Sequence, residues 1–324
     1  MFSRINNIKI GTRASKLALI QIEEVTSLIN KSFPHINCEI ITITTSGDVV
    51  KDKSLADIGG KGLFIKELEE AIINNNIDVA IHSAKDVAPI IHPDTRIIAY
   101  SKRSQIEDCL ISNKYKSLAA MPNNAIIGTC SPRRKALILK HYPHLNVVSL
   151  RGNIDSRLLK VANNEIDGCI LALCGINRIK KQEIIAEIFN VADFLPSGGQ
   201  GALAIQARCD NKLIIDLFQK INHRPTAVCL VAERSFLTSL KASCITPVAV
   251  YCQIINDKII LEYAIFDYDG KNYYRNKIIN ELGKYNLLQE NDYNKIIEIA
   301  KEIGINAVKD VHNNAKDLVL RIIN

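Results

Sequence analysis

Ile127-Gly128-Thr129-Cys130-Ser131-Pro132 echoes Ile10-Gly11-Thr12-Arg13-Ala14-Ser15 near the start of the chain. In both, an apolar segment ends in Gly-Thr, and a serine placed to cap a helix follows shortly after. Outward from the first copy, Asn7–Ile10 reads as a strand and Lys16–Asn30 as an amphipathic helix. Glu39–Thr44 reads as a second strand, with Ile40, Thr42 and Thr44 alternating against Ile41 and Ile43. Polar residues and glycines over Ser46–Gly62 precede a helix near Leu63–Asn74, and Asp78–His82 and Ile97–Tyr100 are short apolar strands. From the second copy, Ala125–Ile127 opens a series with strands near Val147–Leu150 and Cys169–Ala172. Strand and helix in alternation predict α/β domains with a largely parallel sheet. The echo points to two related domains facing each other across a cleft; coincidence over six residues is the other reading.

Ser197-Gly198-Gly199-Gln200-Gly201, after Pro196, is the hinge candidate, because so many glycines cannot form a regular element. From about Arg224 a third region reads as a helix over Val228–Leu240, strands near Val248–Ile254 and Ile259–Ala264, and a long amphipathic helix from near Tyr293.

At 324 residues the chain can bury a substantial core in two or three domains, and 47% hydrophobic with 23% charged residues is ordinary for a soluble protein. A net charge of +7 favours an anionic partner but is too diffuse to name one. Nine scattered cysteines without a C-x-x-C pair argue against a disulfide framework or a zinc site. The opening residues lack the apolar stretch of a signal peptide, and no run reaches transmembrane length, so the expectation is a cytoplasmic protein.

The positive charge is unevenly written. Arg133, Arg134, Arg151, Arg157 and Arg178 crowd a stretch holding only Lys135, Lys140 and Lys160, whereas lysine prevails elsewhere. Arginine offers a planar fork that pairs bidentately with carboxylate or phosphate. The expectation is a pocket for a polyanionic ligand, against the plainer reading of solvated surface charge. Ser131 as N-cap and Pro132 at the first helical position put Arg133 and Arg134 in a first turn, where cations are locally unfavourable and a bound anion would reverse the balance. Arg13 with Ser15, and Arg151-Gly152-Asn153 through Arg157, repeat the arrangement after other strands, so three such turns at strand ends should line one crevice. His82-Ser83-Ala84-Lys85-Asp86 also follows a strand. A lysine beside an aspartate is usually a solvated pair, but an aspartate among arginines would stay ionised and could stabilise a cationic intermediate. Lys61, in Gly59-Gly60-Lys61-Gly62, fits a mobile surface loop and an arm over a bound anion equally well. Nothing in the spacing singles out Cys244.

These residues resemble the porphobilinogen deaminase (hydroxymethylbilane synthase) family. The matches are Gly11-Thr12-Arg13-Ala14-Ser15, Gly59-Gly60-Lys61-Gly62-Leu63-Phe64, His82-Ser83-Ala84-Lys85-Asp86-Val87, Arg133-Arg134, Leu150-Arg151-Gly152-Asn153, Gly199-Gln200-Gly201-Ala202 and Cys244-Ile245-Thr246-Pro247. They occur in family order. The resemblance implies two similar periplasmic-binding-protein-like α/β domains around a cleft plus a smaller α+β C-terminal domain. On this chain these are domain 1 over 1–103 plus 200–222, domain 2 over 104–199 and domain 3 over 223–324. It implies a dipyrromethane cofactor joined by a thioether to Cys244, which primes the head-to-tail addition of four porphobilinogen molecules, with loss of ammonia and hydrolytic release of hydroxymethylbilane. It implies Asp86 as the catalytic carboxylate. Ser83, Lys85, Asp86, Thr129, Ser131, Arg133, Arg134, Arg151, Gly152 and Gln200 match cofactor contacts, and Arg13, Ser15, Lys61, Arg151, Arg157 and Arg178 match substrate contacts. No metal, nucleic acid or membrane is implied. A monomer is, with hand-over of the product to the next pathway enzyme. Departures from the family pattern are Cys130 and Pro132 before the arginine pair, Ala88 for a common proline, and Ala242-Ser243 for Gly-Gly before the cysteine. The alternative is a non-catalytic two-domain binding protein for a small polycarboxylate. A nucleic-acid binder lacks an aromatic-studded basic face.

Overall fold

The computed structural model describes residue 2 and residues 5–49, 65–283 and 285–323; Lys61 and the rest of 50–64 lie outside the described residues. The chain forms two compact units, residues 1–104 with 201–227 and residues 105–200 with 228–324.

The first unit opens with β1 (Asn7–Thr12), α1 (Lys16–Ser32), β2 (Asn37–Thr42), the short α2 (Ser46–Val49), α3 (Lys66–Ile73), β3 (Val79–Ser83) and β4 (Thr95–Tyr100). The chain then enters the second unit as β5 (Asp108–Ile111), β6 (Ile126–Gly128), α4 (Pro132–His141), β7 (Asn146–Val148), α5 (Ile154–Ala162), β8 (Gly168–Ala172), α6 (Leu173–Arg178) and β9 (Ile185–Ile188). It returns as β10 (Leu203–Arg208) and α7 (Lys212–Gln219), and α8 (Arg224–Ser239) leads back into the second unit. It ends as β11 (Val248–Ile255), β12 (Lys258–Phe266), β13 (Tyr273–Glu281), α9 (Glu290–Asn314) and α10 (Lys316–Ile323).

The two five-stranded sheets have equivalent orders, β2-β1-β3-β10-β4 and β7-β6-β8-β5-β9. The echoed sequences close equivalent strands, β1 and β6, so the short repeat reflects a repeated topology. The expectation of largely parallel sheets needs correction. β10 runs antiparallel to β3 and β4, and β5 runs antiparallel to β8 and β9. The reason lies in the connections, since each passage between units delivers one strand that enters the sheet of its new unit against the parallel trio. The glycine segment at 197–201 is a turn, with Gly199 at φ 80° and Gly201 at φ 93°, and it feeds β10 directly.

The repeated Gly-Thr is a packing requirement. A Cβ on Gly128 would lie 2.6 Å from Leu150 Cδ2 and 2.9 Å from Ile166 Cδ1, and one on Gly11 would lie 2.3 Å from Ile77 Cδ1. Each strand end is pressed against the neighbouring layer. Gly128→Ala is expected to destabilise the protein by about 1–3 kcal/mol through overpacking, read as a lower denaturant midpoint at unchanged slope; an unmoved midpoint would show that the layers have room to shift.

The third sheet, β11-β12-β13, is antiparallel throughout. Its residues alternate between two buried faces. Val250, Cys252, Leu261, Tyr263 and Ile265 join the core with Phe236 of α8 and Ile296 and Ile303 of α9. Ala249, Ala264 and Phe266 join the core with Leu137 and Ile138 of α4. This smaller C-terminal sheet domain therefore shares a compact unit with the second five-stranded sheet.

Candidate active site

In the first unit, the end of β1 and the end of β3 meet around a cavity of about 70 Å³ whose lining includes Thr12, Arg13, Ser15, Gln21, Ser83 and Asp86. Ser15 is the N-cap of α1, and its hydroxyl accepts from the Ala18 N–H at 3.3 Å. Ser83 closes β3, and its hydroxyl accepts from Gln21 Nε2 at 2.8 Å. Lys85 and Asp86 follow in a single 3-10 turn, Ala84–Asp86, which leaves Asp86 exposed and Lys85 half-buried. Beneath them the buried His82 ring nitrogen Nε2 lies 2.9 Å from Gln206 Oε1, tying β3 to β10. Two segments far apart in sequence, Arg13–Ser15 and Ser83–Asp86, thus surround one space.

In the second unit, α4 starts as its sequence predicts. Ser131 caps it by accepting from the Arg134 N–H at 3.4 Å, and Pro132 is the first helical residue. Thr129 is buried, and its Oγ1 accepts from the Ser131 N–H at 3.2 Å. Arg133 and Arg134 do not project into solvent; they are 3% and 6% exposed, around an Asp108 that is fully buried at the start of β5. Arg133 Nη2 donates to Asp108 Oδ2 at 2.7 Å and Nη1 to the Leu195 carbonyl at 2.8 Å. Arg134 donates to Asp108 Oδ1 from Nη2 at 2.7 Å and from Nε at 3.2 Å, and to the Ile170 carbonyl from Nη1 at 3.0 Å. Gln200, buried in the glycine turn, donates from Nε2 to Asp108 Oδ1 at 2.9 Å and to the Ile106 carbonyl at 2.6 Å. Burial alone would push the Asp108 carboxyl up; Arg133 and Arg134, helped by hydrogen bonds from Arg134 and Gln200, outweigh it and hold the group well below the usual carboxylate range. The charge that offsets the two first-turn cations is therefore Asp108, where the sequence invited a bound anion. Two guanidinium groups on one carboxylate still leave a positive surplus, and Arg133 Nε is buried with no hydrogen-bond partner among the described residues.

Arg151 and Gly152 follow β7, with Arg151 half-buried and Gly152 exposed. Asn153 caps α5 by accepting from the Ser156 N–H at 2.9 Å. Arg157 is half-buried one turn into α5, and Arg178, half-buried, is the last residue of α6. Among the nine cysteines, only Cys209 and Cys244 are exposed. Cys244 stands in a turn just before β11. Cys109 and Cys169 lie at the opposite extreme, where burial above all pushes each thiol up to about 12; such thiols are inert. Among the described residues no group of three or more His, Cys, Asp or Glu side chains could hold a metal ion, and no helix is long and apolar enough to cross a membrane.

Three participants escaped the sequence reading. Gln21 looks like one more polar residue on α1, yet it is buried and orients Ser83. Glu233, fully buried on α8, accepts from the Gly199 N–H at 2.7 Å and from the Cys252 N–H at 2.8 Å, fixing the glycine turn to β11. Asp108 did leave a signal, because it is a charged residue opening the apolar run Cys109-Leu110-Ile111.

Two sheets of equivalent order, each with one antiparallel strand delivered by a crossing segment, define the class as a duplicated α/β protein with an added C-terminal sheet domain. Residues 8–216 match the family model described as "Porphobilinogen deaminase, dipyromethane cofactor binding domain", and residues 227–313 match "Porphobilinogen deaminase, C-terminal domain". The chain belongs to the porphobilinogen deaminase family. It is 42% identical over 268 residues to the porphobilinogen deaminase of Rickettsia bellii (strain OSU 85-389), covering 82% of this chain and 89% of that one. It is 44% identical over 255 residues to that of Ehrlichia canis (strain Jake), covering 78% and 85%. Among solved structures, the periplasmic VFT2 domain of Bordetella pertussis BvgS superposes with a TM-score of 0.42 at 13% identity, covering 67% of this chain and 86% of that one. The family match does not favour the non-catalytic binding-protein alternative.

Proposed function

We propose that the protein is a hydroxymethylbilane synthase. It joins four porphobilinogen molecules head to tail, releases ammonia at each addition, and hydrolyses off the linear tetrapyrrole. It works as a cytoplasmic monomer that passes its product to the next enzyme of the pathway. The observation that carries this reading is the meeting of Asp86, Arg13, Ser15 and Ser83 around one cavity. A carboxylate beside a guanidinium group and two hydroxyls suits a substrate that is anionic at its rim and becomes cationic at its ring.

The chain's own residues fit a dipyrromethane. Cys244 is an exposed thiol in a turn whose preceding residues, Ala242 and Ser243, are small. The arginine set retains a positive surplus, and Arg133 Nε is a buried donor without a hydrogen-bond partner among the described residues. Cys244 would hold the group through a thioether. Arg133, Arg134, Arg151, Thr129, Ser131, the Gly152 backbone and Gln200, with Ser83 and Lys85, would hold its acetate and propionate side chains. When bound, the group supplies the free pyrrole α-carbon from which the product chain grows.

Arg13, Ser15, Arg151, Arg157 and Arg178 bind the carboxylates of each incoming porphobilinogen, which would otherwise repel one another by on the order of 4 kcal/mol per close pair at an effective dielectric near 20. Lys61 is proposed to join them. The Asp86 carboxylate accepts from the pyrrole N–H and stabilises the positive charge that spreads over the ring as ammonia leaves.

Intact mass spectrometry of the denatured protein tests the reading. Wild type incubated with porphobilinogen is expected to carry a covalent excess equal to a dipyrromethane on the peptide holding Cys244. Cys244→Ser is expected to remain at its bare mass and make no product. An adduct on another peptide removes Cys244 from its role, and a chain that stays bare and inactive overturns the function.

A further inference from the structure

Arg157 is held along one edge of its guanidinium only. Nε donates to the Gly152 carbonyl at 2.8 Å, and Nη2 donates to Cys130 Sγ at 3.6 Å. The first bond is local, because Gly152 belongs to the turn that leads into the same helix. The second reaches across to the residue preceding the N-cap of α4, so it alone sets the fork relative to the neighbouring helix start. Both side chains are half-buried. Guanidinium has five donors in a fixed plane. Two point inward here, on the Nε–Nη2 side, and Nη1 with the outer N–H of Nη2 makes no hydrogen bond among the described residues.

We propose that Cys130 is a positioning residue for substrate binding: its sulfur accepts from Arg157 Nη2 and so presents the outer end of the guanidinium as a bidentate fork to one acetate or propionate carboxylate of porphobilinogen. This rests on the reading of Arg157 as a substrate-binding residue. A long, unbranched arginine side chain has many rotamers, and a ligand that meets it unheld must order it on binding. The thiol does that ordering in advance. Sulfur is a weak acceptor, so it anchors one corner of the fork without competing for the end that a carboxylate needs. A serine at this position offers a stronger oxygen acceptor on a shorter bond, so it can also hold the fork.

The test is a double-mutant cycle on the holoenzyme with porphobilinogen as substrate. Cys130→Ala is expected to raise KM about fivefold with kcat within about twofold of wild type, the signature of an ordering cost on binding. Cys130→Ser is expected to restore KM to within about twofold. In an Arg157→Gln background, Cys130→Ala is expected to add nothing further. A second readout does not depend on turnover. The Arg157 Nε–H resonance, identified by its disappearance in Arg157→Gln, is expected to be sharp in wild type and Cys130→Ser and broadened in Cys130→Ala. Equal effects of Cys130→Ala in both backgrounds, or an unchanged KM and resonance, would reduce Cys130 to a space-filling residue and overturn the inference. An unchanged KM in Arg157→Gln alone would remove Arg157 from the substrate site and take the inference with it, a result distinguishable from failure at Cys130.

Discussion

Asp108→Asn is expected to cost about 3–5 kcal/mol of stability, the usual consequence of removing one partner from a buried charge cluster. The substitution keeps the shape and deletes the carboxylate that pairs with both Arg133 and Arg134, which are nearly inaccessible to water. Two guanidinium groups would then face each other in a medium too poorly polarisable to screen them. For a unit of this size the loss corresponds to a melting temperature lower by about 10 °C. Uptake of the covalent group is expected to fall as well, since Arg133, Arg134 and Gln200 all take their positions from this one carboxylate. The effect has a defined pH dependence. The folded carboxyl is held below its unfolded value of about 3.9, so its stabilisation is fully present above that value and is lost as pH falls through the folded one. The gap between wild type and variant should therefore stay constant from pH 7 to about 5 and narrow below about pH 4. Thermal melting of both proteins across that range checks it. A variant melting within about 2 °C of wild type would mean that the two arginines find other compensation.

The second large effect falls on rate and spares the fold. Asp86 is exposed at the end of a 3-10 turn, so Asp86→Asn is expected to change stability by no more than about 0.5 kcal/mol. Its turnover is expected to fall by about 10²–10³, the usual loss on removing one preorganised electrostatic stabiliser. Asparagine can still accept from a pyrrole N–H, but it has no charge with which to meet the one that develops as ammonia departs. KM should change little, because the neutral ring of the bound substrate gains little from that charge before reaction. Single-turnover kinetics with porphobilinogen, alongside thermal melting, separate the two effects. Near-normal turnover would take Asp86 out of the chemistry, and a large loss of stability would make it a structural residue.

These two aspartates also mark how far the sequence could be read. Asp86 was legible because its neighbours, His82 through Val87, form a local pattern and because a strand end is where a polar group reaches solvent. Asp108 left only the signal of a charge opening an apolar run, since its meaning lies in Arg133 and Arg134, some 25 residues away along the chain, and in Gln200, 92 residues away. The arginine excess was visible in composition, but not its division. Arg133 and Arg134 turn inward to a carboxylate, whereas Arg151, Arg157 and Arg178 remain half-buried. Both fates begin from the same residue type at a helix start or end.

By itself the sequence determined whatever depends on short-range patterns. It set the strand and helix alternation, the capping of α1 and α4 by Ser15 and Ser131 and the turn at Ser197–Gly201. It also set the family, through motifs in a specific order. Tertiary structure decided the direction of β5 and β10, the sharing of one compact unit by the second and third sheets, and the partners of every buried charge. The physical reason is the range of the forces. Capping and periodicity act over one turn or one strand pair, so neighbouring residues suffice to specify them. Compensation of a buried charge is compulsory but indifferent to sequence distance, and only the folded chain shows which distant residue supplies it.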